Sequence, residues 1–167
     1  MKIKYLGTAA AEGIPAIFCE CANCKRPRML GGKNIRTRSQ AIIDFEADGY
    51  KIMPIKAEHN HAFSPVVFVI EKDGKSIFYA NDSSEYSTES IECLKSLKKP
   101  IDVVSFDCTE ACNHATYVGH LSLERCIALR KKLIDENIAY IDTLFVLNHF
   151  SHNGANVVYD DFVKIAA

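Results

Sequence analysis

The 167 residues include no tryptophan, only three methionines and five prolines, and no excess of either charge, with 20 Lys and Arg against 21 Asp and Glu. A net charge of −1 excludes any overall electrostatic pull toward nucleic acid or an acidic membrane, though not a local basic groove. Long apolar runs are lacking too. No stretch approaches the ~20 residues of a membrane helix, and the opening Met1-Lys2-Ile3-Lys4 leads into no apolar segment of signal-peptide length. The sequence therefore predicts a cytoplasmic protein without a membrane partner. No repeat or low-complexity linker divides it, so a single domain over residues 1–167 is expected. Hydrophobic residues make up 48%, enough for a chain of this size to bury a core.

Cysteine, by contrast, is well represented. Three of the seven crowd into Cys19-Glu-Cys-Ala-Asn-Cys24. In a chain without a secretory signal such a cluster argues for metal rather than disulfides. Zinc takes four Cys or His ligands in a tetrahedron, so Cys19, Cys21 and Cys24 need a fourth from elsewhere. The alternative is a set of reduced surface thiols, which would be open to oxidation. Cys93 and Cys126 fall in helical patterns and read as small core residues.

Periodicity predicts strands over residues 2–6, 39–45, 51–57, 101–106 and 143–147, and a hairpin of 65–70 and 76–80 about Lys72-Asp73-Gly74-Lys75. Helices are predicted over 88–98, over 121–137 with Ser122 as N-cap, and after Tyr159. Residues 7–34 read as one long irregular stretch, which a bound metal would tie down. Strands first and strand–helix alternation later imply packed sheets under outer helices.

All six histidines lie from residue 59 onward, and several stand at strand ends. One predicted strand runs out into His59 and His61, another delivers Asp82, and a third delivers His149. Imidazole and carboxylate on neighbouring strand ends suit a catalytic metal, because rigid elements fix ligand geometry. A lone histidine at a strand end is more often a solvated residue, and Asp82 alone is a turn acid; their joint occurrence carries the reading. His149 and His152, three apart, can serve different sites, one a catalytic ion and the other the cysteine tetrahedron.

At these residues the chain resembles the metallo-β-lactamase superfamily, in particular its phosphodiesterase branch, typified by phosphoribosyl cyclic phosphate phosphodiesterase and, more distantly, by tRNA 3′-end-processing ribonucleases. Tyr5-Leu-Gly-Thr, Gly13-Ile-Pro, the cysteine cluster and Leu147-Asn-His-Phe-Ser-His152 carry the likeness. It implies an αββα sandwich of the α/β (α+β) class. It also implies a structural Zn²⁺ on Cys19, Cys21, Cys24 and His152, and a catalytic site with Zn²⁺, Mn²⁺ or Fe²⁺ on His59 (or His61), Asp82 and His149. His120 resembles the catalytic histidine, Asp107 a supporting partner in that catalytic group, and Asp44 a buried orienting acid.

The branch's His-x-His-x-Asp-His signature is missing between Asp44 and Lys51, and further strand would be expected after Ile165-Ala-Ala. Either an internal segment and a tail are absent from this sequence, or the protein has lost the motif and with it full activity. The retained His59, Asp82, His120 and His149 favour the former. The function implied is a metal-dependent hydrolase of a small, cyclic phosphodiester. The rivals are a zinc-binding interaction or sensor module and an RNA-processing nuclease. Nucleic acid is the less favoured substrate, for want of a basic arm or aromatic–basic strip. A homodimer is left open.

Overall fold

A computed structural model describes residues 3–43, 49–59, 65–113, 119–152 and 157–167. In chain order the elements are β1 (Ile3–Gly7), α1 (Ala22–Leu30), β2 (Gln40–Ile43), β3 (Lys51–Lys56), β4 (Val66–Lys72), β5 (Lys75–Ala80), α2 (Thr88–Lys95), β6 (Ile101–Asp107), α3 (Leu123–Asp135), β7 (Ala139–Asn148) and α4 (Tyr159–Ala166). β1 and β2 form an antiparallel pair, and the others a five-stranded sheet in the order β3-β4-β5-β6-β7.

Side-chain chemistry accounts for this order. Pro54 lacks an N–H for a ladder, and β3, which carries it, is an edge strand. Asp73 and Gly74 both have positive φ, the backbone of a tight two-residue hairpin turn between β4 and β5. β6 lies between parallel neighbours, and its Ile101, Val104 and Phe106 are buried, as expected of a strand covered on both faces. The core gathers Phe78, Phe106, Leu94, Leu121 and Leu133 with the buried face of α3 (Cys126, Leu129, Leu133). Ser122 caps α3 by accepting from the Arg125 amide, and Ser87 caps α2 from that of Ser90. Cys126 is buried, and Cys93 packs at the rim of the core.

Two elements differ from expectation. The stretch read as irregular contains α1, whose residues alternate too little to show an amphipathic period and include Pro27. β7 begins at Ala139, four residues early, because a register shift between Ile101 and Val103 lets the exposed 140–142 segment join the strand out of phase with any apolar alternation.

Candidate metal centres

Strand direction assembles the first site. β5, β6 and β7 are mutually parallel, and β3 and β5 both run antiparallel to β4 between them. The chain therefore leaves β3, β5, β6 and β7 at the same sheet edge, where open α/β sheets carry their ligands. His59 follows β3, Asp82 follows β5, Asp107 ends β6, His120 precedes α3, and His149 directly follows β7. Asp82 and His149 both have positive φ, 55° and 61°, a costly backbone for non-glycine residues that turns the chain sharply off the strand ends.

The side chains converge on Asp82. Its Oδ1 lies 3.5 Å from His59 Nε2, 3.8 Å from His149 Nε2 and 4.0 Å from His120 Nδ1. The other nitrogen of each Nε2-facing ring is anchored. His59 Nδ1 is 2.9 Å from the Gly119 carbonyl oxygen, and His149 Nδ1 is 3.2 Å from Asp107 Oδ2 and 2.9 Å from Thr109 Oγ1. Because a carbonyl or carboxylate only accepts, each neutral ring must carry its proton on Nδ1 and present a lone pair at Nε2.

Asp107 is fully buried. Its Oδ1 accepts from the amides of Thr109 (2.9 Å) and Leu121 (3.2 Å), and its Oδ2 lies 2.9 Å from His120 Nδ1. Burial alone would raise its pKa, but the contacts with His120 and His149 hold it at about 2. Burial lowers that of His120, and the Asp107 carboxylate more than offsets this, leaving it above the ordinary imidazole value. Arg125 donates to the His120 carbonyl and to Ser84 Oγ, tying the His120 and Asp82 loops together.

Two lone pairs and a carboxylate aimed at one another repel unless positive charge sits among them. The 3.5 and 3.8 Å from Asp82 Oδ1 to the two Nε2 atoms are within a few tenths of an ångström of the ~3.5 Å expected between two ligands of one tetrahedral ion. Asp82, Asp107, His120 and His149 place ligand atoms within 4.8 Å of each other, and His59 Nε2 reaches the same Asp82 oxygen, which makes Asp82 and the two Nε2 atoms a candidate seat for one divalent cation.

The second site takes its histidine three residues after His149. Cys19, Cys21, Cys24 and His152 also have their ligand atoms within 4.8 Å of one another. Cys19 Sγ is 3.4 Å from Cys21 Sγ, and both sulfurs are 3.7 Å from His152 Nδ1. A tetrahedral zinc with Zn–S of about 2.3 Å and Zn–N of about 2.0 Å requires edges of about 3.8 Å and 3.5 Å, so the set fits that ion.

All seven cysteines are reduced. The Cys19 thiol titrates low, chiefly because the Cys21 amide and then its thiol hydrogen-bond to it, whereas burial pushes Cys24 up to about 11. Ionising all three so close together requires a cation. Arg28 donates to the carbonyls of Cys19 (2.5 Å) and Ala16 (2.9 Å), which is how α1 holds the loop in place.

The structure thus brings together His59, Asp82, Asp107, His120 and His149 at one site, and Cys19, Cys21, Cys24 and His152 at another. Asp107 lies behind the rings and acts through them. Asp44 and His61 lie outside the described residues. Thr109, Arg125 and Glu12, which faces His152 Nε2 at 3.3 Å, carry no sequence signal, since each reaches its partner only through tertiary packing.

The sequence matches no family model and no curated protein. Its fold has solved counterparts. The chain superposes on Zn(2+)-bound PqqB from Methylobacterium extorquens with a TM-score of 0.67, over 99% of this chain and 94% of that one, at 11% identity. The chain has the metallo-β-lactamase fold. The metallo-β-lactamase fold protein YhfI from Bacillus subtilis (18% identity, TM-score 0.48) and unliganded yeast PDE1 (12%, 0.45) align with 73% and 75% of it. Of those two proteins' own lengths the chain spans 44% and 42%.

Proposed function

We propose that this metallo-β-lactamase-fold chain is a metal-dependent hydrolase of a small phosphodiester, cyclic phosphodiesters included, working in the cytoplasm. The observation that carries the reading is the convergence of His59 Nε2 and His149 Nε2 on Asp82 Oδ1, beside a histidine anchored on a buried carboxylate. His59, Asp82 and His149 would hold a divalent zinc, manganese or iron ion, while Cys19, Cys21, Cys24 and His152 would hold a structural zinc. The zinc-bound state of PqqB supports the metal assignment.

A divalent ion in such a site lowers the pKa of water toward neutrality and offsets negative charge on phosphoryl oxygens. The chain supplies the rest. Asp107 fixes the tautomers of His120 and His149, so metal-holding and proton transfer share one orienting acid. With Nδ1 of His120 on Asp107, proton exchange with the leaving oxygen falls to Nε2. Arg125 keeps that ring at a set distance from Asp82 through its bonds to His120 O and Ser84 Oγ.

A second reading has a specific observation behind it. The His-x-His-x-Asp-His signature is absent from the sequence, and His59, Asp82 and His149 would hold at most one ion where a dinuclear site needs two. On that basis the chain is a zinc-binding interaction or sensor module. Elemental mass spectrometry on purified protein of known intact mass, paired with hydrolysis of bis(p-nitrophenyl) phosphate and a cyclic nucleotide, separates the two. Two or more metals per chain with turnover are expected. One zinc and no hydrolysis would give the module.

A further inference from the structure

We infer that Glu12 is the positioning carboxylate of the thiolate cluster, aiming His152 at the sulfurs and anchoring the loop that also carries His149. The imidazole of His152 stands between two groups. Its Nδ1 lies 3.7 Å from both Cys19 Sγ and Cys21 Sγ, and its Nε2 lies 3.3 Å from Glu12 Oε1. A ring that ligates through Nδ1 carries its proton on Nε2, and a carboxylate there holds both tautomer and orientation. Ser151 donates to the same Oε1 at 3.3 Å, so two successive residues of the loop rest on one acid.

Backbone geometry keeps Glu12 in register with that loop. Phe150 N–H donates to Thr8 O at 2.8 Å, Ala10 N–H to Phe150 O at 2.7 Å, and Gly13 N–H to Ala10 O at 3.0 Å. The segment holding Glu12 is thereby laced to the residue between His149 and Ser151. From the other side Asn23, on α1, donates to His152 O at 2.6 Å. Glu12 is one-third exposed, so it can carry its charge at modest cost while bonded to the ring.

The inference rests on the cluster holding zinc, and the experiment tests that separately. Zinc affinity is measured by competition with a chromophoric chelator for wild type, Glu12→Gln, His152→Ala and the double variant, with urea midpoints of the zinc-free proteins. Wild type is expected to bind zinc, and Glu12→Gln to bind it 10- to 100-fold more weakly, in the range for supporting partners of metal ligands, at an unchanged zinc-free midpoint. The double variant should match His152→Ala within twofold. A wild type that binds no zinc overturns the cluster itself. Undiminished affinity in Glu12→Gln, or an equal loss in the His152→Ala background, overturns the role of Glu12 alone. Ser151→Ala covers the case in which Glu12→Gln does not fold. It should weaken zinc severalfold, and an unchanged affinity would refute the anchoring.

Discussion

At Asp107 a single buried carboxylate serves two histidines, and its substitution separates what each contributes. Both Nδ1–H groups face Oδ2 and two backbone amides face Oδ1, so in Asp107→Asn the side-chain NH₂ must oppose one of these two pairs of donors. Metal affinity at the imidazole site is expected to fall 10- to 100-fold, and stability by about 1–3 kcal/mol, read by metal titration and urea denaturation. His120→Ala should behave differently, retaining the ion on His59, Asp82 and His149 while turnover drops by about 10²- to 10⁴-fold. Normal turnover in that variant would remove the proton-transfer role. The residues of both sites were legible where chemistry and position coincided: histidines and acids at strand ends, cysteines at ligand spacing. Glu12, Thr109 and Arg125 were not, because a Glu after three alanines or an Arg within a helix looks like any solvated side chain until the fold supplies its partner.

Among the elements, the parallel and hairpin strands were readable from β-branched runs and from the Asp73-Gly74 turn, whereas α1 was hidden by its polar sequence and by Pro27. α1 is tied to the cysteine loop by Arg28, which donates to Cys19 O and Ala16 O, and to the His152 carbonyl by Asn23. Cys21→Ala, at its N-cap, is accordingly expected to lower the thermal midpoint of the zinc-loaded protein, since binding free energy at such a site is folding free energy. Chelator should lower the wild-type midpoint by more than that of the variant, which keeps only the imidazole site; equal shifts in both would contradict a zinc there. Gly7 is a second constraint at this scale. At the bulge between β1 and β2, a Cβ would come within 1.9 Å of Arg38 O and 2.4 Å of Thr37 Oγ1. Gly7→Ala should therefore cost about 1–3 kcal/mol or more by forcing backbone apart, seen as a lower urea midpoint.

Across the whole molecule the sheet is polarised. One edge gathers the imidazoles, and about 17 Å back along β6, Asp102 takes hydrogen bonds from Lys75 (2.9 Å), the Ser76 amide (2.8 Å) and Lys99 (3.2 Å). Burial would raise the Asp102 pKa, but these donors outweigh it and hold it at about 2, below the ordinary 3.8. A depressed carboxylate contributes stability that is complete above the unfolded pKa and lost as pH falls through the folded one. Asp102→Asn should lower the urea midpoint at pH 6, with the difference from wild type closing between about pH 4 and pH 2. Hydrolysis at the other edge should be unaffected.

Between His149 and His152 there are two residues, Phe150 and Ser151, and Phe150 is pinned to Thr8 and Ala10 by its backbone. That spacing makes the two centres one inheritance. A single-residue insertion there would rotate one imidazole out of its set, so neither centre can drift independently of the other. If the two sites hold ions as proposed, an emptied cysteine cluster would release His152 and, across the two-residue link, disturb His149, so that manganese alone would not restore the imidazole site.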